Sequence, residues 1–321
     1  MIHVFWLAVG LVLLSVGGEA LVRGALAAAK RLGVSPLLAG LVIVGFGTSA
    51  PELVVSLQAV FNDQPAIAMG NVVGSNIANI LLILGLSALI MPLVTHVQSL
   101  RRDGLTMLFA TLVFMGLASV NGLDRIDGAI MLSVLVGYLI WAYRTEKEDV
   151  SSPEAQLHVA ESEEYERLPM SVPLTIIAIV GGLAMLIFGA NRFLLGAVGL
   201  GEALGIPEAI IGLTLVAVGT SLPELAVSII AAIRKHADVA VGNVLGSNIF
   251  NILCILGISS IIRPLPLDGR LLTTDQFVML GAAIMLLVFL FFGLRLSRLK
   301  GVLLLAGYVL YIAAMFGMQS S

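Results

Sequence analysis

Charge is scarce in this chain. Only 12% of its 321 residues are Asp, Glu, Lys or Arg, against about 25% in a typical soluble domain. Too few charges remain to cover a water-facing surface, so a soluble globular domain is excluded. Cysteine is nearly absent as well. Cys254 stands alone, which rules out a disulfide framework and a four-thiolate zinc site. The four histidines, His3, His96, His158 and His236, lie near segment ends or in connections, which argues against an imidazole-bound transition metal at a membrane midplane. The net charge of −3 leaves no footprint for nucleic acid. No Lys or Arg precedes the first apolar run. That run is too long for the core of a cleavable signal and reads as a first spanning helix.

Apolar length is what the chain has. Hydrophobic residues make up 59% of it, and the mean hydropathy is +1.07. A spanning helix takes about 20 residues. Ten apolar runs fit, at about 4–29, 35–61, 65–91, 104–120, 126–143, 172–200, 208–233, 237–262, 272–293 and 299–318. The expected fold is an all-α membrane protein of ten transmembrane helices. The long polar stretch, 145–171, is acidic and poor in apolar residues, so it reads as a flexible linker.

The chain is also an internal duplication. Residues 33–93 laid on 205–265 without a gap match at 31 of 61 positions. GTSAPEL (47–53) falls on GTSLPEL (219–225), and GNVVGSNIANILLILG (70–85) falls on GNVLGSNIFNILCILG (242–257). Residues 1–144 and 172–321 are therefore read as two five-helix repeats joined by the linker. An odd helix number inverts the second repeat, and inverted repeats build transporter cores with a site near the midplane.

Basic residues orient this path. One face receives Lys30, Arg31, Arg101, Arg102, Arg144, Lys147, Arg167, Arg234, Lys235, Arg295, Arg298 and Lys300, and the other receives Arg125, Arg263 and Arg270. The richer face is expected to be cytoplasmic. The linker then lies in the cytoplasm and both termini lie outside.

Two carboxylates break the apolar pattern. Glu52 and its duplicate Glu224 sit mid-helix, where a charge costs several kcal/mol unless paired or solvated. Each follows a proline, Pro51 or Pro223. Proline lacks an N–H and should break its helix, leaving carbonyls near Gly45–Thr48 and Ala217–Thr220 without partners. Such carbonyls are tolerated in a membrane where they line a cavity or meet an ion. On the next helices, Ser75 and Asn79 share a face, as do Ser247 and Asn251. The spacing Gly70–Gly74 and Gly242–Gly246 reads as close helix packing. Asn71, Asn76, Asn243 and Asn248 read as capping or interhelical hydrogen-bonding residues, and Cys254 as a core filler.

Every one of these candidate ligands is an oxygen, as hard cations such as Na⁺ and Ca²⁺ require. Two carboxylates neutralise one divalent cation or two monovalent ones. Glu19 and Arg23 form an i,i+4 pair in the first helix and read as a local ion pair. The stretch from Gly45 to Ala50 fits a dinucleotide fingerprint by letter, but it lies inside a spanning run rather than a strand–turn–helix unit.

The paired GTSAPE/GTSLPE and GNVVGSN/GNVLGSN segments resemble the two alpha-repeats of the cation/calcium antiporter superfamily, which includes the Na⁺/Ca²⁺ exchangers. The resemblance covers essentially the whole chain and looks like that of a prokaryotic inner-membrane member. It implies the sodium/calcium exchanger fold and a transporter, not an enzyme, with Ca²⁺ and Na⁺ as substrates in a lipid bilayer and no cofactor. It implies Glu52 and Glu224 as principal ligands, joined by the carbonyls of Thr48 and Thr220. Gly45 and Ala217 would offer carbonyls to flanking sodium sites completed by Ser75 and Ser247, with Ser49 and Ser221 nearby. Asn79 and Asn251 would line the central site. Some members carry aspartate where Asn251 stands. The calcium/proton branch usually has a glutamate in the GNVxGSN motif, and here there is none. The readings kept open are a Ca²⁺/H⁺ or other divalent antiporter and a cation channel. A hydrolase using Ser49 or Ser221 lacks a midplane base. Helices 1 and 6, glycine-rich and without ligand motifs, are expected to form a loosely packed moving bundle.

Overall fold

Helices that are apolar all round need apolar surroundings, and almost every described segment is such a helix. The computed structural model describes residues 2–94, 97–119, 122–149, 170–204, 219–267, 269–291 and 295–319. The helices are α1 (Ile2–Leu32), α2 (Pro36–Thr48), α3 (Ala50–Phe61), α4 (Pro65–Ile90), α5 (Val97–Ala118), α6 (Arg125–Asp149), α7 (Val172–Ala203), α8 (Leu222–Ile233), α9 (Ala237–Ile262), α10 (Leu271–Phe291) and α11 (Arg298–Gln319). Seven of these are long and apolar enough to cross a membrane. The pair α2 and α3, bent by 41°, makes an eighth span. The 22-residue α5 and the 12-residue α8 occupy the places of the remaining two expected spans. Residues 205–218, ahead of α8, lie outside the described residues.

Two boundaries differ from the sequence reading. Helix α5 begins at Val97, and α6 continues to Asp149, five residues into the expected linker. Those last residues include Glu146, Lys147 and Glu148, which propagate a helix readily once it has started. The start of α6 is fixed by a reciprocal cap. Asp124 Oδ1 accepts from the Ile126 and Asp127 amides at 2.7 and 3.0 Å, while Asp127 Oδ2 accepts from the Asp124 amide at 2.9 Å. These bonds, the Asp127 amide foremost, hold the Asp124 carboxyl below its usual range.

Contacts between connections follow the alternation of a membrane-crossing path. Arg31 donates to the Met170 carbonyl, and the short strands β1 (Leu93–Val94) and β2 (Arg295–Leu296) pair antiparallel. These join connections expected on one face. Asp63 pairs with Arg263, and Leu123 bridges Leu265. These join connections expected on the other.

The halves exchange equivalent contacts. A Cβ on Gly128 of α6 would stand 2.5 Å from the Gly257 carbonyl of α9, and one on Gly301 of α11 would stand 2.8 Å from the Gly85 carbonyl of α4. The residue match extends beyond the aligned stretch 33–93. Asp103 of α5 falls on Asp275 of α10 at the same offset of 172. Each Asp accepts from a tyrosine of the following helix, Tyr138 at 2.8 Å and Tyr311 at 3.2 Å, and each meets an arginine, Arg102 or Arg270.

Helices α1 and α7 lie at the periphery. Their apolar windows are 28% and 22% buried, against 72% and 78% for α4 and α9. The loose packing expected of them is corrected by their mutual contact. A Cβ on Gly17 would stand 2.8 Å from the Gly182 carbonyl, and one on Gly182 equally close to the Gly17 carbonyl. Glycines spaced seven residues apart on each helix bring the backbones together, so α1 and α7 form one tight pair. We expect Gly182→Leu to lower the melting temperature of purified protein by several degrees, in keeping with an overpacking cost of about 1–3 kcal/mol. Its neighbour Gly181 has nothing described within 4 Å of an added Cβ, and Gly181→Leu should leave the melting temperature unchanged.

Candidate cation site

Pro51 and Pro223 place the two glutamates. Pro51 has no N–H for the Gly47 carbonyl one turn back, so the ladder breaks at Ser49 and restarts as α3. Pro223 does the same at Ser221 for α8. Glu52 and Glu224 therefore fall in the first turns of new helices, where the positive end of the helix dipole favours a carboxylate. Both are fully buried.

Three wide π turns border this break. They run over Gly40–Gly45, Asn79–Leu84 and Asn251–Leu256, so each begins or ends on a candidate site residue. Single π turns are rare and gather at functional sites. The turn at Asn79 packs against α8, and the turn at Asn251 packs against α3. Each asparagine is thereby brought to the glutamate helix of the opposite repeat.

The hydrogen bonds cross between repeats. Ser49 Oγ donates to Glu224 Oε1 at 3.1 Å, and Ser221 Oγ donates to Glu52 Oε1 at 3.1 Å. Thr48 and Thr220 lie against the carboxyls of Glu224 and Glu52. Ser247 Oγ donates to the Gly45 carbonyl at 3.1 Å. That carbonyl also accepts from the Ser49 amide at 3.2 Å. The expectation of a partnerless Gly45 carbonyl is therefore corrected, because the break falls one turn later and the π turn keeps Gly45 inside the ladder. Ser75 is buried in the position equivalent to Ser247. Ala217, the duplicate of Gly45, lies outside the described residues.

At this site four buried oxygens are left over. Glu52 Oε2, Glu224 Oε2, Asn79 Oδ1 and Asn251 Oδ1 have no hydrogen-bond partner among the described residues. Buried polar atoms are nearly always satisfied, and these four are all acceptors. Two carboxylates and two amide oxygens without a donor are the complement of a cation. Among the described residues, no group of three or more His, Cys, Asp or Glu could hold a metal ion. The charge of the site thus comes from Glu52 and Glu224, and neutral oxygens surround it.

Asn71 and Asn243 make the interhelical hydrogen bonds expected of them, but sequence reasoning overlooked their partners Ser56 and Ser228. Asn71 Nδ2 donates to the Glu52 carbonyl at 3.2 Å and to Ser56 Oγ at 3.0 Å, and Asn243 Nδ2 donates to the Glu224 carbonyl at 3.1 Å and to Ser228 Oγ at 2.8 Å. The signal was available, because Ser56 and Ser228 are duplicates one turn beyond the glutamates. The expected pair of Glu19 and Arg23 is present, and Glu19 also accepts from Arg234 at 2.9 Å, tying α1 to the end of α8.

A model described as sodium/calcium exchanger protein matches residues 2–144 and 174–317. The chain belongs to the sodium/calcium exchanger family. Among its relatives, the sodium/calcium exchanger MaX1 of Methanosarcina acetivorans is 35% identical, over 97% of each chain. The putative antiporter CaxA of Alkalimonas amylolytica is 36% identical, over 95% of this chain and 94% of its own. A solved structure of the sodium-calcium exchanger NCX_Mj, soaked with zero Na⁺ and Ca²⁺, superposes with a TM-score of 0.84 at 32% identity, covering 98% of this chain and 99% of that one. The chain is thus a multi-pass membrane transporter of the exchanger fold and not an enzyme. Cations are cargo for such a protein rather than cofactors.

Proposed function

We propose that this exchanger-family member is an antiporter that exchanges Na⁺ for Ca²⁺ by alternating access. The observation that carries the reading is the set of four donorless oxygens on Glu52, Glu224, Asn79 and Asn251. Ca²⁺ takes about 6–8 oxygens, so the carbonyls of Thr48 and Thr220 join these four at the centre, while Gly45, Ala217, Ser75, Ser247, Ser49 and Ser221 serve flanking sodium positions. The equivalent places in the two repeats make this ligand set symmetric.

Exchange follows from charge. An empty site holds two buried carboxylates without counter-ions, and moving it through the membrane centre is prohibitive. Loading by Ca²⁺ or by Na⁺ removes that barrier, and the two loads exclude each other. If three Na⁺ cross per Ca²⁺, one net charge moves per cycle, worth about 2.3 kcal/mol per 100 mV. The tight pair α1 and α7, peripheral and tied to the α8 end through Glu19, is the moving body in this scheme. The excess of basic residues on one set of connections supports a linker in the cytoplasm and both termini outside an inner membrane.

The test is ⁴⁵Ca²⁺ uptake into proteoliposomes loaded with Na⁺ and diluted into K⁺ medium. Uptake that requires internal Na⁺ is expected. Uptake driven by a pH gradient without Na⁺ would replace the reading with Ca²⁺/H⁺ antiport. Uptake with no counter-ion gradient would make the protein a channel.

A further inference from the structure

We propose that Asn76 and Asn248 are positioning residues that decide which end of the Asn251 and Asn79 amides faces the cation. This rests on the cation site proposed above. An asparagine amide has an acceptor at one end and two donors at the other. Only the oxygen serves a cation. The NH₂ end turned inward would donate to the glutamates and compete with the ion.

The orientation is set from the backbone. Asn76 Nδ2 lies 3.2 Å from the Asn248 main-chain carbonyl, and Asn248 Nδ2 lies 3.4 Å from the Asn76 main-chain carbonyl. A carbonyl only accepts, so these ends of both amides must be NH₂. Their oxygens then face the other way. Asn248 Oδ1 accepts from Asn79 Nδ2 at 3.0 Å, and Asn76 Oδ1 accepts from Asn251 Nδ2 at 3.0 Å. Asn79 and Asn251 are thereby obliged to turn their NH₂ groups outward, which leaves Asn79 Oδ1 and Asn251 Oδ1 as the unpartnered pair. All four side chains are at most 1% exposed, so no water stands in when one amide rotates. The lock joins α4 to α9, so the site acquires its oxygens only when the two repeats are docked.

The experiment measures equilibrium ⁴⁵Ca²⁺ binding to purified full-length protein, with melting temperature as the folding control. Asn248→Leu keeps the branched shape of the side chain and removes the lock on Asn79. Half-saturating Ca²⁺ is expected to rise about tenfold or more, the loss of one hydrogen-bonded ligand to a charge. Asn79→Asp presents oxygen whichever way it turns. In that background, adding Asn248→Leu should change half-saturation by less than about threefold. An equal loss in both backgrounds would assign Asn248 to packing and overturn the proposal, as would unchanged binding by folded Asn248→Leu. If Asn248→Leu does not fold, Asn248→Asp decides, because its carboxylate still accepts from Asn79: undiminished affinity is expected, and a tenfold loss refutes the lock. Wild-type protein that binds no Ca²⁺ would defeat the ion assignment instead, and the same variants would then be compared by Na⁺-dependent stabilisation.

Discussion

Glu52→Gln and Glu224→Gln should each reduce Na⁺-dependent Ca²⁺ uptake at least a hundredfold. The substitution conserves shape but removes a charge and brings an NH₂ donor among acceptors. Removing one partner of a buried charge interaction costs about 3–5 kcal/mol, and every 1.4 kcal/mol is tenfold. The crossed bonds extend the effect to both repeats, because Ser49 donates to Glu224 and Ser221 to Glu52. Stability should move the other way. Ion-free wild-type protein buries two facing carboxylates, so the variants should melt no lower than wild type without ions. They should also lose the rise in melting temperature that Ca²⁺ gives wild type. A variant that unfolds without ions would show the glutamates to be structural.

Gly246→Ala should be nearly as severe, through packing rather than charge. A Cβ at Gly246 would stand 2.2 Å from the Leu41 carbonyl and 2.7 Å from its Cα. These are backbone atoms of a buried π turn, with no flexible side chain to yield. Helices α2 and α9 must separate, and Ser247 then leaves the Gly45 carbonyl that it holds at 3.1 Å. The expected cost exceeds about 3 kcal/mol, beyond the usual range for overpacking. Folded yield and ⁴⁵Ca²⁺ uptake should both collapse. Gly281→Ala, where an added Cβ meets nothing described within 4 Å, should match wild type in both measurements.

Much of the candidate site was legible in the sequence because duplication printed it twice. A mid-helix glutamate after a proline is costly once and meaningful twice, and Glu52 and Glu224 do come together in the buried centre. What the letters did not carry was the partner of each group. That Ser49 reaches the glutamate of the other repeat depends on how α3 and α8 cross, which no local pattern records. The π turns at Asn79 and Asn251 were likewise invisible, since a one-residue change in helical winding leaves apolar periodicity intact. The Asp103 and Asp275 pair was readable at the same offset but lay in weakly matching segments. The end of α6 was misjudged because a charged tail that propagates a helix and a charged linker share one composition. The glycines of α1 and α7 were noted, but a sequence does not say whether glycine loosens a helix pair or lets its backbones touch.

The most direct measurement is a crystal structure of the protein grown with Ca²⁺ and without Na⁺, with the ion located by its anomalous scattering. The account predicts one strong peak between Glu52 and Glu224, with both carboxylates about 2.3–2.6 Å away and the Asn79 and Asn251 side chains turned oxygen-first toward it. A peak elsewhere in the bundle, or none between the glutamates at saturating Ca²⁺, would contradict it.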